Sequence, residues 1–389
     1  MMWQLLFLLL PVAAFTGWYL GRRGEKLVLP NLRNAIPSDY FLGLTYLINE
    51  EPDRAVDVFI KLLEVNGDTA ETHLALGALF RQRGEVDRAI RIHQNLIARP
   101  NLDKSLRIHV MLELGQDYLK AGVLDRAEKL FLELVSIGGE VKRSLHYLLT
   151  IYEQEKEWYK AMQTAEKLQL MTRIPMQSTI AHYYCELASR EVADGRQEQA
   201  QAHLKLALRT DKHCVRACLA TADLALQQGQ YKAALKQLKL VKSNDPDYIA
   251  ETIEPIRQCY HHLDQEQLLF DYLWECLEEH PRISVILALS DLIRQREGDR
   301  PAIDFVAEQI RHHPSLRGLN RLIHLYLGNT IGDTKDKLEL LNNLVTQLLT
   351  RKPVYRCVQC GFSGNQLYWQ CPGCHQWSTV RAIQGIEGD

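Results

Sequence analysis

The sequence predicts an all-α fold: a superhelical solenoid of stacked helix pairs, with an apolar span at its start and a small cysteine-rich module at its end. Three observations predict it. A small residue recurs at Ala55, Ala89, Ala127, Ala161, Ala200, Ala234 and Ala302, with Leu269 filling the one gap, at intervals of 33 to 39 residues. Residues 1–20 contain no charged side chain. Four cysteines form two Cys-x-x-Cys pairs between positions 357 and 374. The balance of the chain is unremarkable, with a net charge of −2 and 24% charged residues, which argues against a basic nucleic-acid binder and against an acidic disordered tail.

As a helix, the apolar span at 1–20 would reach about 30 Å at roughly 1.5 Å per residue, the thickness of a bilayer core. Trp3 at one end and Trp18-Tyr19 at the other are placed as interface anchors, and Arg22, Arg23, Lys26 and Arg33 follow. This predicts a transmembrane anchor over 1–20, a juxtamembrane linker over 21–37, and the rest of the chain on the cytoplasmic side. A cleaved signal peptide would need a basic stretch before the apolar run and a small-x-small site after it. The first is absent, and Ala14-Phe15-Thr16 lies inside the run.

Residues 38–349 form the repeat region. In its second unit His73, Leu76, Gly77 and Phe80 fall on one helical face, and Ala89, Ile92, His93 and Leu96 repeat that spacing. Gly84, Gly122, Gly195 and Gly229 each precede their alanine by five residues, where a left-handed turn ends the first helix. Pro246, Pro281 and Pro314 each follow twelve after. The unit resembles the tetratricopeptide repeat, with Leu42-Gly43-x-x-Tyr46 and Leu114-Gly115-x-x-Tyr118 as its clearest first halves. About eight repeats and a terminal helix pair near 316–327 and 334–349 are expected. Intervals of 38 and 39 place extra residues in loops at 101–107 and 171–177, and Leu269 should splay its helix pair. The resemblance implies a concave wall made of the first helices, with Arg81, His109, Gln116, Arg143, His146 and His182 facing the groove as candidate partner-binding residues.

Cys357-Val358-Gln359-Cys360-Gly361 and Cys371-Pro372-Gly373-Cys374 are two turns whose sulfurs can converge on one ion. Two such turns supply a closed tetrahedral site, so Cys357, Cys360, Cys371 and Cys374 are the expected ligands of one metal ion, zinc or iron alike. The module, 354–389, resembles a zinc ribbon or rubredoxin-like knuckle pair. Its spacer is much shorter than a rubredoxin's, and His375 stands where a glycine is usual. So small a unit needs the ion to fold, and Tyr355, Phe362, Tyr368, Trp369 and Trp377 should pack partly within it and partly against the end of the repeats. The other five cysteines sit in helical patterns and read as small core residues, in a reducing compartment.

No phosphate-binding loop, dinucleotide fingerprint, His-Glu-x-x-His or Gly-x-Ser-x-Gly occurs, so the expectation is a protein that is not an enzyme. An anchor, a repeat array and a four-cysteine knuckle pair in one chain together resemble the bacterial lipopolysaccharide assembly protein B family. The resemblance implies an inner-membrane adaptor that restrains lipopolysaccharide synthesis. It would promote degradation of the deacetylase LpxC by the membrane protease FtsH and gather other lipopolysaccharide-synthesis or transport proteins. Two other classes stay open on the residues: a redox protein with iron at the quartet, and a metal ribbon that binds nucleic acid. Arg351, Lys352, Arg356 and Arg381 are few for the latter, and no nucleic acid is expected.

Overall fold

The second and third repeats fold as helical hairpins whose closeness is set by one glycine and one large side chain sixteen residues later. A Cβ on Gly77 would lie 2.4 Å from the ring of His93, and one on Gly115 would lie 2.6 Å from the ring of Phe131. The glycines are therefore small because a large residue of the second helix is pressed against them, and His93 and Phe131 are fully buried. Gly115→Ala is expected to destabilise the fold by about 1–3 kcal/mol through overpacking. Chemical denaturation checks this, and a wild-type midpoint would mean that the Phe131 ring yields freely.

The computed structural model describes residues 38–49, 51, 54, 55, 58, 70–100, 102–386 and 388. The expected anchor over 1–20 and linker over 21–37 lie outside them, and no helix among the described residues is long and apolar enough to cross a membrane. The chain divides into two units, Met1–Ile151 and Tyr152–Asp389. The first holds α1 (Ser38–Ile48), α2 (Ala70–Gln82), α3 (Val86–Ile97), α4 (Lys104–Lys120), α5 (Leu124–Ser136) and most of α6 (Val141–Gln154). The second continues with α7 (Trp158–Thr172), α8 (Gln177–Ala193), α9 (Gln197–Thr210), α10 (Val215–Gln227) and α11 (Tyr231–Asn244). After a 3-10 turn (Pro246–Tyr248) come α12 (Ala250–His262), α13 (Glu266–Glu279), α14 (Ile283–Glu297), α15 (Asp299–His312), α16 (Leu316–Leu327) and α17 (Asp333–Thr350). Helices pair with their sequence neighbours as α2/α3 and α4/α5 in the first unit, and as α8/α9, α10/α11 and α14/α15 in the second. The result is a helical solenoid of tetratricopeptide type.

The recurring small residue is at the centre of each hairpin: Ala89, Ala127, Ala161, Ala200, Ala234 and Ala302 have no exposed surface. Leu269 is also buried, in a cluster with Cys259, Tyr260, Tyr272 and Cys276. α12 and α13 share less contact than α10 and α11. Cys185, Cys214, Cys218, Cys259 and Cys276 are free and buried, as small core residues should be.

The longer intervals are used differently from expectation. They go mainly into the first helices, and only the connection at 98–103 is longer than its counterparts at 137–140, 173–176 and 211–214. α4 and α8 each have 17 residues, against 13 in α2 and α10. Four extra residues are close to one 3.6-residue turn, so the helix grows without rotating its buried face.

Candidate metal centre and its docking surface

Residues 355–382 form a small antiparallel sheet of β1 (Tyr355–Cys357), β2 (Ser363–Gly364) and β3 (Val380–Ala382), in the order β2-β1-β3. Cys357 ends β1, and Gly361, at φ +77°, turns the chain back toward β2. The second knuckle is closed by the Cys371 N–H donating to the Gln376 carbonyl and by a bridge between Gln370 and Trp377. Gly373 is small because a Cβ there would lie 3.2 Å from the Cys360 sulfur. The four sulfurs all lie within 4.8 Å of one another, with Cys357–Cys374 at 3.7 Å and Cys360–Cys371 at 3.6 Å. A tetrahedron of sulfurs about 2.3 Å from a central ion has edges of about 3.8 Å, close to these two separations, so the donor set suits a single ion.

The surroundings favour thiolates. The N–H groups of Gln359 and Cys360 point at the Cys357 sulfur at 3.4 and 3.5 Å, and that of Gly373 points at Cys371 at 3.4 Å. Burial opposes ionisation of Cys357, but the Thr379 hydroxyl and these amides outweigh it and bring the thiol down to about 6. At Cys360 the Phe362 amide pulls downward, while desolvation and the neighbouring sulfurs prevail and push the thiol up to about 12. Sulfurs that favour one negative charge and resist the next are what a divalent ion completes. His375 is not among the converging atoms; its backbone, at φ 57°, makes the turn.

The module packs on the second unit's helices. Trp377 stacks on His182, with ring centroids 4.9 Å apart, and meets Tyr183 and Trp158 edge-on. Its indole N–H donates to Glu153 at 3.0 Å, and the Tyr183 hydroxyl donates to the same carboxylate oxygen at 2.6 Å. Gln370 donates to the other oxygen at 3.2 Å. Burial first, and then the Glu153 charge, raise the Tyr183 hydroxyl far above its ordinary range, so it stays protonated and donates. Trp369 stacks on Tyr248, whose hydroxyl donates to the Val380 carbonyl, and the Tyr355 hydroxyl donates to Glu251 at 2.6 Å. Asp247 accepts from Arg282, Arg381 and Gln384; burial works against its charge, yet the two guanidiniums hold it below the usual carboxylate range. Finally the Leu316 N–H donates to the Ile386 carbonyl.

This corrects the expectation that the aromatics pack against the end of the repeats. The platform is the end of α6 at Glu153 with α8, α10 (Val215 and Cys218 against Leu367 and Trp369) and α12, contributed about 100 to 225 residues earlier. α17, 18 residues and about 27 Å long, carries the chain back before the module begins.

The six candidate groove residues separate into three groups. His182 is buried against the module, its Nε2 2.7 Å from the Ser378 hydroxyl, and burial with Arg216 nearby lowers it to about 3. Its partner is thus within the chain. Arg81 is only 16% exposed and is held by Glu113 and by Asp117 at 2.7 Å, while Gln116 donates to Glu113 at 2.9 Å. Asp117 also binds His93 Nδ1 at 2.5 Å, so Arg81 neutralises a fully buried carboxylate. His109, Arg143 and His146, on α4 and α6, are exposed. Sequence reasoning missed the acidic anchors of the module, Glu153, Asp247 and Glu251 among them. Asp245-Pro246-Asp247 carries the only local signal, that of an inter-helix turn.

A family model described as a rubredoxin metal binding domain matches residues 355–382, and tetratricopeptide repeat models match 72–105 and 191–251. Lipopolysaccharide assembly protein B of Escherichia coli K12 is 37% identical over 388 residues, covering 100% of both chains. Its namesake from Haemophilus influenzae KW20 Rd is 35% identical over 393 residues, covering 99% of each. Among solved structures, the C-terminal part of a repeat protein from Cytophaga hutchinsonii aligns with 68% of this chain and 98% of its own at 15% identity, with a TM-score of 0.38, too low to carry an argument. With end-to-end identity above one third to these relatives, the chain belongs to the lipopolysaccharide assembly protein B family.

Proposed function

We propose that the protein is a non-enzymatic adaptor, anchored in the bacterial inner membrane, that restrains lipopolysaccharide synthesis. It promotes FtsH-mediated proteolysis of the deacetylase LpxC and gathers other lipopolysaccharide-synthesis or transport proteins. In this reading residues 1–20 are the anchor and 21–37 the linker, 38–349 carry the repeats, and 354–389 form the module whose ion is held by Cys357, Cys360, Cys371 and Cys374. The bound ion supplies the cross-link that folds the knuckles. His109, Arg143 and His146 are the part of the candidate groove left for a partner.

The observation that supports this reading most directly is the docking itself. Glu153, His182, Tyr248 and Asp247 join module and repeats, so the two offer one continuous surface rather than two loosely linked ones. Confinement to the membrane raises the effective concentration of partners that share it, so individual contacts need not be tight. A version lacking residues 1–20 is expected to fold normally by circular dichroism yet to leave LpxC at raised levels in cells. Normal LpxC levels with that version would rule the tether out.

A further inference from the structure

The last helix of a solenoid has no following repeat to cover it, and soluble solenoids cap that position with a polar face. α17 does not. It buries Val345 toward the repeats, but Leu340, Leu341, Leu344 and Leu348 are 61, 49, 49 and 51% exposed. Leu340, Leu344 and Leu348 recur every four residues and form a stripe along one side of the helix. Residues 340–350 contain no charge, so nothing on the helix keeps this stripe in water. An exposed apolar row of this length marks an interaction surface.

The pattern favours a second copy of the chain as occupant. Leu340 and Leu348 are equidistant from Leu344, so the stripe reads the same in both directions, as a two-fold contact requires. The charges flanking it are complementary to themselves when the helices run antiparallel. The start of α17 carries Asp333, Asp336 and Glu339 against Lys335 and Lys337, while Arg351 and Lys352 follow its end with no acidic residue between 340 and 354. Antiparallel pairing brings the net acidic start of one helix to the basic end of the other; parallel pairing would oppose like to like. Helix dipoles favour the same arrangement.

We propose that the protein forms a two-fold homodimer in which α17 packs antiparallel on α17 of a second copy, centred on Leu344. The test uses the full chain, purified in detergent, with mass measured by light scattering during size exclusion. The wild type is expected to have twice the chain mass. Leu344→Glu and Leu344→Lys each place two like charges at the two-fold axis and are expected to weaken the dimer at least about a hundredfold, to monomer, with unchanged helical signal. Mixing the two variants restores a dimer, because opposite charges then meet. A monomeric wild type, growth beyond the dimer, a dimeric Leu344→Glu protein, or a mixture that remains monomeric would each overturn the proposal.

Discussion

Removing the metal, by chelation or by the double substitution Cys371→Ser, Cys374→Ser, is expected to unfold the C-terminal module and leave the helices of the repeats standing. The module's own apolar cluster is small, built on Cys357, Cys371 and Val380 with Tyr355, Phe362 and Leu367 against it. Two of those buried residues are themselves ligands, so without the ion little core remains. Structural four-ligand sites in small modules contribute about 10–16 kcal/mol of apparent binding energy, far more than this cluster can replace. The readout is tryptophan emission together with limited proteolysis. Trp369 and Trp377 should move to longer wavelength as they leave Tyr248 and His182, and cleavage should appear within 354–386 while far-UV helicity is kept. Emission and protease resistance unchanged after complete metal removal would contradict a structural role for the site.

A second large effect is expected at Glu153. Its carboxylate accepts from the Tyr183 hydroxyl, the Trp377 indole and the Gln370 amide. Glu153→Ala strands donors in a half-buried setting, at about 1–3 kcal/mol for each group left unpaired. The loss falls on docking rather than on the metal, since Glu153 touches no sulfur ligand. The variant should therefore retain its metal and still show the red-shifted tryptophan emission of the undocked module, a combination that chelation cannot produce. Wild-type emission in Glu153→Ala would show that the aromatic stacking and the Asp247 ion pairs hold the module without it.

These outcomes bear on what could be read from the chain beforehand. The hairpins were legible because their determinants are local. In most hairpins the residue five places before the recurring one adopts a left-handed conformation, and Gly84, Gly122, Gly195 and Gly229 do so at φ values from 70 to 84°; before Ala302 it is Gly298, four places away, at φ 98°. Lys156 and Asp264 occupy the same place in the hairpins of Ala161 and Leu269, at φ 57° and 54°. A periodicity search for glycine passes over them, although the backbone requirement is identical. The cysteine quartet was legible for the same reason, because each pair forms its own turn.

Docking was not legible, because it depends on residues remote in sequence that share no pattern. Nothing near His182 marks it as the floor for an indole 195 residues later. A position expected to face a groove can be occupied from within the chain, as His182 is by the module. Arg81 and Gln116 are engaged for another reason. The groove pattern marks a polar position but not its partner within the chain, and here the buried carboxylate of Asp117, one repeat on, holds the guanidinium.

The clasp formed by Asp247, Arg381, Tyr248 and the Leu316–Ile386 backbone bond has a mechanical consequence. Stacked repeats ordinarily behave as a spring, since each touches only its neighbours and small hinge motions add along the array. A module fastened at Glu153 and at α8, α10, α12 and α16 crosses several joints of the second unit at once, which opposes their independent motion. The curvature of the second unit is thereby placed under the control of four sulfur atoms.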